Sequence, residues 1–561
     1  MEKKPLPIGV SDFKKLIDGG YAYVDKTLFI QEILETGTEV VLIPRPRRFG
    51  KTLNLSMLRY FFEVADEDTS YLFKNLQIWQ HPSSRALQGQ FPVVFITFKD
   101  VKHSSWEKTL EHFRRLLAEE FQRHRYLLES SLLSAEEKQD YQAILRKEGG
   151  QTLCEESLRL LIKWMYLYHK KQVILLIDEY DAPVHSAYVG RFYEPLIEFL
   201  RNLLSGCLKD SSHLKRGVLT GILRIAKESI FSGLNNVKPF TLLNEAFGDK
   251  FGLLEAEVAQ LLENYHLASK LPEIKQWYNG YRIGFSNGIY NPWSVLNCIE
   301  EKGRLASYWV NTSDNALMKQ LIARGGEELK SGIAELLQGR ALEKTIEEGI
   351  VFSDLDKSPA AVWSLLLFSG YLTVEAARPS AALLRLRIPN LEVGHLYQSL
   401  IRSWFETTIH LSNYQMLLNS LTQGDTSTFF HILQEFLLSS VSVFDVLPDE
   451  PEKIYHAFIL GLLVGLKDRY EVKSNRESGY GRYDVMLIPK TPSDLGVVIE
   501  FKKIGRFEKT DLETAAASAL KQIEERCYDQ ELLERGVQRI LHLGLAFQGK
   551  HVFMRSKSTS K

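Results

Sequence analysis

One short segment near the amino terminus limits the fold of this chain more than any other. Residues 45–52 have the sequence RPRRFGKT, and they lie between the apolar run 40–43 and a helix-like stretch. A turn between a buried strand and the start of a helix presents backbone N–H groups that curl around phosphate oxygens. The segment therefore predicts a phosphate-binding loop at one edge of a parallel α/β sheet.

The loop offers candidates for two chemical roles. In such a loop the lysine, here Lys51, reaches the β- and γ-phosphates, and the hydroxyl residue, here Thr52, holds Mg²⁺. The usual pattern is GxxxxGK[ST], but Arg45 stands where its first glycine would be, so only the second half of the pattern is present. We predict that ATP and Mg²⁺ bind at the loop. The predicted nucleotide-binding residues of the loop are Arg47, Arg48, Phe49, Gly50, Lys51 and Thr52.

An acidic pair follows a second apolar run. Residues 173–177 are all apolar and lead directly into Asp178 and Glu179, which is typical of a strand buried on both faces. P-loop ATPases use an aspartate here to hold the Mg²⁺ shell and a following glutamate to orient and activate the attacking water. The alternative is a parallel strand that happens to end at a polar turn. The loop upstream favours the catalytic interpretation, because the two signals occur in the order that a nucleotide-binding fold requires.

A third strand, predicted at 216–221, has Thr220 at its tip and is followed by Arg224. In ATPases of this broad class, a polar residue at the tip of the strand beside the acidic strand senses the γ-phosphate. An arginine shortly after it neutralises transition-state charge. Thr220 and Arg224 are our candidates for these roles. For Arg224, an ordinary surface charge is an equally good interpretation.

A different chemistry is predicted near the carboxyl terminus. The stretch 477–488 and the stretch 496–502 are separated by a turn, and together they predict a hairpin in which Asp484 begins the first strand. Strand alternation places Glu500 and Lys502 on one face. Two carboxylates and a lysine suit Mg²⁺-assisted phosphodiester hydrolysis, because the acids hold the metal and the lysine orients or activates a bound water.

The alternative is that this acid-x-lysine pattern lies on the solvent-exposed face of a strand and has no catalytic role. The apolar run 497–499 argues against it, because a buried strand that ends in an acid and a lysine needs a reason for them. An upstream helix, predicted at 452–466, offers Glu452 as a further metal ligand, although a structural role is equally compatible. A downstream helix, predicted at 511–528, carries Gln522 as a weaker candidate for a contact in the active site or with DNA.

The length of 561 residues predicts more than one domain, because single hydrophobic cores stop growing at roughly 250 to 300 residues. We predict an α/β fold: a P-loop NTPase parallel sheet with a helical lid, a helical middle region and a carboxyl-terminal restriction-endonuclease-like α/β domain. The predicted boundaries are 1–243 for the P-loop domain, 244–313 for the lid, 314–450 for the helical connection and 451–561 for the last domain.

Composition excludes some classes of protein. A net charge of −1 excludes a globally basic nucleic-acid binder but leaves room for a local basic groove. The four cysteines are scattered without metal-ligand spacing, which suits a reducing cytoplasm. No apolar run approaches the roughly 18 residues of a membrane span, so we predict a cytoplasmic protein without a membrane partner.

With both motifs located, the chain resembles the bacterial AAA-ATPase-like proteins that carry a carboxyl-terminal PD-(D/E)XK nuclease-superfamily domain. The resemblance implies a P-loop ATPase module joined to a restriction-endonuclease-like module, and an arginine at position 45 looks like the family's own pattern. It extends over nearly the whole chain and depends on the segments 23–27, 45–52, 176–181, 220–227, 232–236, 278–281, 477–484 and 500–502.

The predicted function is an ATPase coupled to a Mg²⁺-dependent nuclease that acts on nucleic acid, with DNA as the expected substrate. The alternative is a nucleotide-switched interaction protein whose nuclease-like domain binds without cutting, and a third interpretation is a scaffold with two degenerate sites. A homo-oligomer would be required if a neighbouring copy supplied an arginine finger, whereas Arg224 could act within the chain.

Overall fold

The computed structural model describes residues 3–224, 230, 234–309, 321–322, 327–337, 339–349, 352–355, 358–375, 383–406, 411–439, 459, 462–466, 469–478, 481–504, 511–548 and 551–560. The chain divides into two compact units. The first comprises residues 1–314 and 343–392, and the second comprises 315–342 and 393–561. None of the helices in the described ranges is long and apolar enough to span a bilayer.

The described strands form four sheets. They are β1 Val40–Pro44, β2 Val93–Thr97, β3 Val173–Asp178, β4 Leu214–Gly221, β5 Val237–Pro239, β6 Tyr281–Ile283, β7 Ser286–Ile289, β8 Leu342–Thr345, β9 Thr373–Val374, β10 Leu383–Arg387, β11 Tyr470–Ser478, β12 Gly481–Pro489, β13 Gly496–Lys503, β14 Arg539–Gln548 and β15 His551–Ser560.

The described α-helices surround or connect these sheets. They are α1 Phe13–Asp18, α2 Leu28–Glu35, α3 Lys51–Phe62, α4 Pro82–Arg85, α5 Trp106–Arg123, α6 Ala135–Leu145, α7 Gln151–His169, α8 Ala182–Gly190, α9 Tyr193–Leu208, α10 Glu255–Asn264, α11 Leu271–Tyr278, α12 Pro292–Glu300, α13 Glu327–Leu337, α14 Pro359–Phe368, α15 Leu391–Glu406, α16 Leu411–Gln423, α17 Thr426–Ser439, α18 Leu512–Glu525 and α19 Gln530–Glu534.

The main sheet of the first unit has the strand order β2-β3-β4-β1-β5, and all neighbouring strands are parallel. Every residue of β1 and β3 is buried, as their continuous apolar sequences predict for strands covered on both faces. Helix α3 packs against β3 and β4, while α5, α7 and α9 pack against one another. The predicted α/β class with a parallel sheet is confirmed, and β4 lies between the two motif-bearing strands.

The middle of the chain contains more β-structure than its apolar spacing predicts. Strands β6 and β7 form an antiparallel pair in the stretch predicted as a lid, and β8, β10 and β9 form a small sheet in the stretch predicted as helical. The buried positions of β10, Leu384 and Leu386, alternate with exposed or half-buried ones. This period of two is the signal of a strand, and it was overlooked between two strongly helical stretches.

The second unit contains a mixed sheet with the order β11-β12-β13-β14-β15. Only the β13–β14 pair is parallel. Alternate residues of β13 and β14, among them Val497, Ile499 and Leu543, join α16 and α17 in one core. The opposite face of the sheet packs against α18. The predicted hairpin is therefore β12 and β13, but Glu477 belongs to β11, and Asp484 lies inside β12 instead of beginning it.

Candidate functional site

The ends of three strands of the first sheet bring polar side chains together, and we call this cluster the loop site (Lys51, Thr52, Asp178, Glu179 and Thr220). Thr52 Oγ1 donates a 2.7 Å hydrogen bond to Asp178 Oδ2, and Thr220 Oγ1 donates one of 2.7 Å to Asp178 Oδ1. Asp178 and Thr220 are fully buried. Burial raises the pKa of Asp178, and the two hydroxyl donors partly offset this rise. The carboxylate is thus held in place by neutral groups on both sides.

The loop after β1 has the backbone that a tight turn into a helix requires. Gly50, immediately before α3, has φ of 85°, a conformation that costs glycine little. Lys51 Nζ donates to the carbonyl oxygens of Arg45 and Pro46, each at 3.1 Å. Burial lowers the pKa of this ammonium group. Lys51 therefore lies under the loop, where its charge faces the space that the loop encloses.

Arg45 has a structural role that explains why an arginine can replace the first glycine of the motif. Its side chain is fully buried, and Nη1 donates to the carbonyl oxygens of Pro44 at 2.9 Å and Phe240 at 2.7 Å. The guanidinium also lies 5.2 Å from the ring centroid of Phe251. Burial lowers its pKa to about 9, so it stays charged at neutral pH. Arg45 thus joins the start of the loop to the segment that follows β5.

The other predicted loop residues contact the stretch predicted as a lid. The guanidinium of Arg48 lies 4.3 Å from the ring centroid of Trp293, and Phe49 packs edge-on against Tyr281 at 5.1 Å. The carbonyl oxygen of Arg47 accepts a 3.2 Å hydrogen bond from Trp309 Nε1. Sequence reasoning did not identify these aromatic partners.

A pocket of about 100 Å³ lies beside Gly50. Its walls are mostly apolar, and they come from the amino-terminal segment, the start of α3 and the stretch around Gly252. Among its lining residues are Pro7, Tyr23, Val24, Leu53, Leu253 and Pro292. An apolar slot next to a phosphate-binding loop suits a flat heterocyclic base.

Tyr180 and Asp181, which lie in the turn after β3, hold the segment that follows β4. Tyr180 Oη donates a 2.7 Å hydrogen bond to the Leu223 carbonyl, and Asp181 Oδ2 accepts from the N–H groups of Ile222 at 2.9 Å and Leu223 at 2.8 Å. Burial raises the pKa of Asp181 to about 6. Sequence reasoning did not assign a role to either residue.

The two remaining candidates of this region lie near the same edge. The guanidinium of Arg224 lies 3.7 Å from Glu348 Oε2, and both side chains are partly exposed. Glu179 is half-buried and has φ of 50°, an uncommon conformation for a residue other than glycine. The charge of Glu179 acts on Lys51 and Arg48, so this carboxylate lies close to the loop, and its catalytic role stays a prediction.

The second unit contains another polar cluster, which we call the carboxylate site (Asp484, Glu500, Lys502 and Gln522). Asp484 Oδ2 accepts a 2.8 Å hydrogen bond from the Phe501 N–H, and the Asp484 and Glu500 side chains lie close enough to influence each other's ionisation. Glu500 is only 3% exposed. Burial raises the pKa of Asp484, while the Phe501 N–H and the charge of Lys502 oppose that rise.

Gln522 connects the acid and the lysine that the sequence predicted on one face. Its Nε2 donates to Glu500 Oε1, and its Oε1 accepts from Lys502 Nζ at 2.7 Å. Lys502 Nζ lies 3.9 Å from Glu500 Oε1. Tyr528 Oη lies 3.2 Å from Gln522 Nε2, and sequence reasoning did not identify it. The structure therefore brings Gln522 into the cluster as a direct neighbour of both residues.

A glycine allows the helix that carries Gln522 to approach the sheet. Gly544 lies beside Glu500 in the β13–β14 register. A Cβ atom on Gly544 would lie 2.3 Å from the Ala516 carbonyl oxygen of α18 and 2.6 Å from the Leu520 nitrogen. Because both atoms belong to the backbone, they cannot swing aside, and any side chain here would push the helix away from the sheet.

The metal-binding capacity of the carboxylate site depends on few residues. Glu452, the predicted further ligand, lies outside the described residues. Within the described ranges, no group of three or more His, Cys, Asp or Glu side chains is arranged to hold a metal ion. Asp484 and Glu500 are the two carboxylates at this place, and Mg²⁺ in proteins is commonly held by one or two carboxylates together with water and substrate phosphate.

Comparisons with known proteins agree with the two motifs. Residues 7–231 match the family model described as "Predicted AAA-ATPase", and residues 450–557 match the model of the PD-(D/E)XK nuclease superfamily. The "Uncharacterized protein in vnfD 5′region" of Azotobacter chroococcum mcd 1 is 28% identical over 405 residues, which are 70% of this chain and 69% of that protein. The solved structure of the Aeropyrum pernix ORC2 protein in its ADPNP–ADP complexes covers 67% of this chain and 92% of its own, with 10% identity and a TM-score of 0.23.

The two family matches confirm the resemblance predicted from the motifs. The chain combines an AAA-ATPase-like domain with a carboxyl-terminal PD-(D/E)XK nuclease-superfamily domain. The loop site lies in the first match and the carboxylate site in the second. The individual roles of the site residues, and the domain boundaries drawn from the sequence, remain predictions.

Proposed function

We propose that this chain is an ATPase whose nucleotide state controls a Mg²⁺-dependent nuclease acting on nucleic acid, with DNA as the expected substrate. The observation that carries the ATPase part is the arrangement around Asp178. Its two oxygens accept from Thr52 and Thr220, and Lys51 lies under the loop beside them. A hydroxyl and a carboxylate at the end of a phosphate-binding loop are the ligands that an ATP-bound Mg²⁺ uses.

Each residue of the loop site has a separate task in this proposal. The backbone N–H groups at the start of α3 and Lys51 would bind the phosphates, and the pocket beside Gly50 would take the base. Mg²⁺, held near Thr52 and Asp178, would neutralise phosphate charge. Glu179 would orient the attacking water and accept its proton, while Thr220 and Arg224 would contact the γ-phosphate.

The carboxylate site supports hydrolysis of a phosphodiester. Asp484 and Glu500 would hold Mg²⁺, which lowers the pKa of a bound water. Lys502, held by Gln522, would orient that water or stabilise charge on the phosphate. Because burial raises the pKa of Asp484 and metal-ligating carboxylates must be deprotonated, cation binding here would compete with protons.

A chain of hydrogen bonds offers a route for coupling within the first unit. Trp309 Nε1 donates to the loop carbonyl of Arg47, and the Trp309 N–H donates a 2.6 Å bond to Glu392 Oε1. Ser294 Oγ holds the other oxygen of Glu392 at 2.7 Å. Glu392 is in the first turn of α15, and the rest of this helix belongs to the second unit. A change in the loop would therefore reach the start of α15, after which the sequence continues into the second unit.

One observation favours the alternative of a nucleotide-switched binding protein that does not cut. Within the described residues, the carboxylate site supplies two carboxylates and no third metal ligand from His, Cys, Asp or Glu.

The predicted cytoplasmic location is supported by the four cysteines, all of which are unpaired. A homo-oligomer remains a prediction, which sedimentation with and without ATP would test.

The deciding experiment measures ATP hydrolysis and nucleic-acid cleavage in parallel. Labelled single- and double-stranded DNA and RNA are incubated with Mg²⁺ or Mn²⁺, with and without ATP, using wild type, Lys51→Ala and Asp484→Ala. We expect Lys51→Ala to lose ATP hydrolysis by at least about 100-fold and to lose the response of cleavage to ATP. Asp484→Ala should lose cleavage and keep ATP hydrolysis.

Two exposed or turn residues provide matched controls. Lys102→Ala removes an exposed lysine, and Asp494→Asn changes an acid in the turn between β12 and β13; both should behave as wild type. Cleavage that is equal in wild type and Asp484→Ala would contradict the nuclease assignment. ATP-dependent binding of labelled DNA without cleavage would establish the alternative function instead.

A further inference from the structure

Several hydrogen bonds besides those of strand pairing join the turn after β3 to the segment after β4. Besides the hydrogen bonds of Tyr180 and Asp181 to Leu223 and Ile222, the Tyr180 N–H donates a 3.0 Å bond to the Thr220 carbonyl. Tyr180 is fully buried, and Asp181 is 6% exposed. We call these hydrogen bonds, together with their four residues and Thr220, the tip clamp.

The packing of the tip clamp leaves no room for adjustment. A Cβ atom on Gly221 would lie 2.4 Å from Asp181 Oδ1 and 2.8 Å from Tyr180 Cε1. Such distances do not occur between unbonded atoms, so a side chain at position 221 would break the clamp. The glycine is needed for this close approach, which fixes the backbone at the end of β4.

The charges around Asp181 are those of the loop site. Lys51 favours its ionised form and Glu179 opposes it. Burial raises the pKa of Asp181 to about 6, so the side chain is largely ionised at neutral pH and accepts the two N–H groups as a carboxylate. Charge-assisted hydrogen bonds of this kind are stronger than neutral ones.

Arg224 follows the clamped residue Leu223 directly. The backbone on the amino-terminal side of Arg224 is therefore fixed. Its guanidinium makes a 3.7 Å ion pair with Glu348, in which both side chains are partly exposed. Thr241 Oγ1 donates to the same Glu348 oxygen at 3.0 Å, so Glu348 keeps a partner if Arg224 leaves it. A partly exposed ion pair contributes little, and Arg224 can exchange it for a phosphate group.

We propose that Tyr180 and Asp181 are positioning residues for ATP hydrolysis, which hold the end of β4 so that Thr220 stays on Asp178 and Arg224 reaches the γ-phosphate. This inference rests on the proposed ATPase function. Neither residue touches the nucleotide in this arrangement; they act through the backbone of residues 220–223. The clamp thus sets the rate of the chemical step and the affinity for a γ-phosphate, and leaves the affinity for a diphosphate unchanged.

The test compares two tyrosines that both donate buried hydroxyl hydrogen bonds. Tyr180→Phe removes the bond to Leu223, and Tyr141→Phe removes bonds of 2.7 and 2.8 Å to the carbonyls of Phe121 and His124, far from the loop in sequence. We expect Tyr180→Phe to lower kcat for ATP about 10-fold and to raise KM by a smaller factor, since misplacement of a catalytic group costs rate more than binding. Tyr141→Phe should leave kcat within about 2-fold of wild type.

Asp181 provides a larger effect and a conservative variant. Asp181→Ala should lower kcat about 100-fold, while Asp181→Asn, which keeps an acceptor oxygen, should retain most of the activity. In the Arg224→Ala background, Asp181→Ala should lower kcat by much less than it does in wild type, because both changes remove the contribution of Arg224. Calorimetric titration should show ADP affinity unchanged in Tyr180→Phe, and weaker binding of a non-hydrolysable ATP analogue.

The outcomes separate the two proposals. Equal kcat and equal analogue affinity in Tyr180→Phe and Tyr141→Phe, or additive losses in the double variant, would overturn the clamp and leave the ATPase assignment intact. A wild-type protein that neither binds nor hydrolyses ATP would overturn the proposed function, and the positioning role with it.

Discussion

The loop site and the carboxylate site both lie where polar side chains end or interrupt buried strands, but they balance charge in different ways. In the loop site, the single buried acid Asp178 accepts hydrogen bonds from two neutral hydroxyls. In the carboxylate site, two acids on neighbouring strands, Asp484 and Glu500, influence each other's ionisation. The first arrangement gives one buried acid two hydroxyl donors and a nearby lysine, whereas the second has one lysine for two acids and would be relieved by a proton or a bound cation.

This difference indicates what each site depends on. The geometry of the loop site is set by two hydroxyl hydrogen bonds and by the buried Arg45, so it should persist without metal. The carboxylate site should respond to metal. Variants that remove Arg45 from the loop site, or the charge of Asp484 from the carboxylate site, therefore test whether the two sites differ in this way.

The largest effect is expected from Arg45→Gly, which introduces the glycine of the generic motif. The variant removes a fully buried side chain and its bonds to two carbonyls, so we expect the first unit to lose about 3 kcal/mol or more of stability. Denaturant unfolding followed by circular dichroism measures this loss. Arg304→Gly, at a side chain that is 75% exposed, is the control and should change stability by less than about 1 kcal/mol. If both variants unfold alike, Arg45 is not an anchor.

A smaller effect is expected when Mg²⁺ binds to the carboxylate site at two pH values. Because burial raises the folded-state pKa of Asp484, its carboxylate form costs stability as pH rises through that pKa, and protons compete with metal below it. Mg²⁺ should therefore stabilise wild type more at pH 8 than at pH 5, by up to about 2.7 kcal/mol at 100 times the dissociation constant.

The control for this titration is Asp484→Asn, which keeps the shape of the side chain and removes its charge. Without metal, the variant should unfold at a higher temperature than wild type at pH 8, and Mg²⁺ should not raise that temperature further. Differential scanning calorimetry with and without nucleotide separates this response from Mg²⁺ bound at the loop site. A shift of equal size in wild type and variant would show that the two sites do not differ as described.

The smallest effect is expected from Trp309→Phe, which tests the connection between the sites. The variant keeps an aromatic ring and removes the N–H that donates to the Arg47 carbonyl. ATP hydrolysis should stay within about 2-fold of wild type, while the ATP response of cleavage should fall about 5-fold, as expected for one lost hydrogen bond. Trp363→Phe is the control, because the indole N–H of Trp363 is buried and has no partner among the described residues. The same loss in both variants would contradict the route through Trp309.

The sequence predicted the parts of these sites that depend on local pattern. Continuous apolar runs identified β1 and β3, and strand alternation placed Glu500 and Lys502 on one face. The interpretation of Thr220 also agrees with its position, since its hydroxyl meets Asp178 across neighbouring strands. These successes follow from short-range rules, because side-chain direction in a strand and burial in a parallel sheet are both fixed by a few neighbouring residues.

The contacts that were missed join residues far apart in the chain. Arg45 meets Phe240, and Trp309 meets Arg47, across separations of 195 and 262 residues. No periodic pattern indicates such pairs, and Asp181 could not be distinguished from an ordinary turn residue until the end of β4 was seen beside it. The small sheet of β8, β9 and β10 was missed for another reason: its strands are short and lie between helices whose apolar spacing is much stronger.

Gly544 has no reactive group, but its identity indicates whether the carboxylate site can form. Only a residue without a side chain lets α18 lie against β14, and only then does Gln522 reach Glu500 and Lys502. In a related chain, any larger residue at this place would mean that the glutamine bridge has been lost, even if the acids and the lysine were all retained. A related protein that has lost activity could thus be identified from a substitution at position 544, even if all of its acidic site residues were retained.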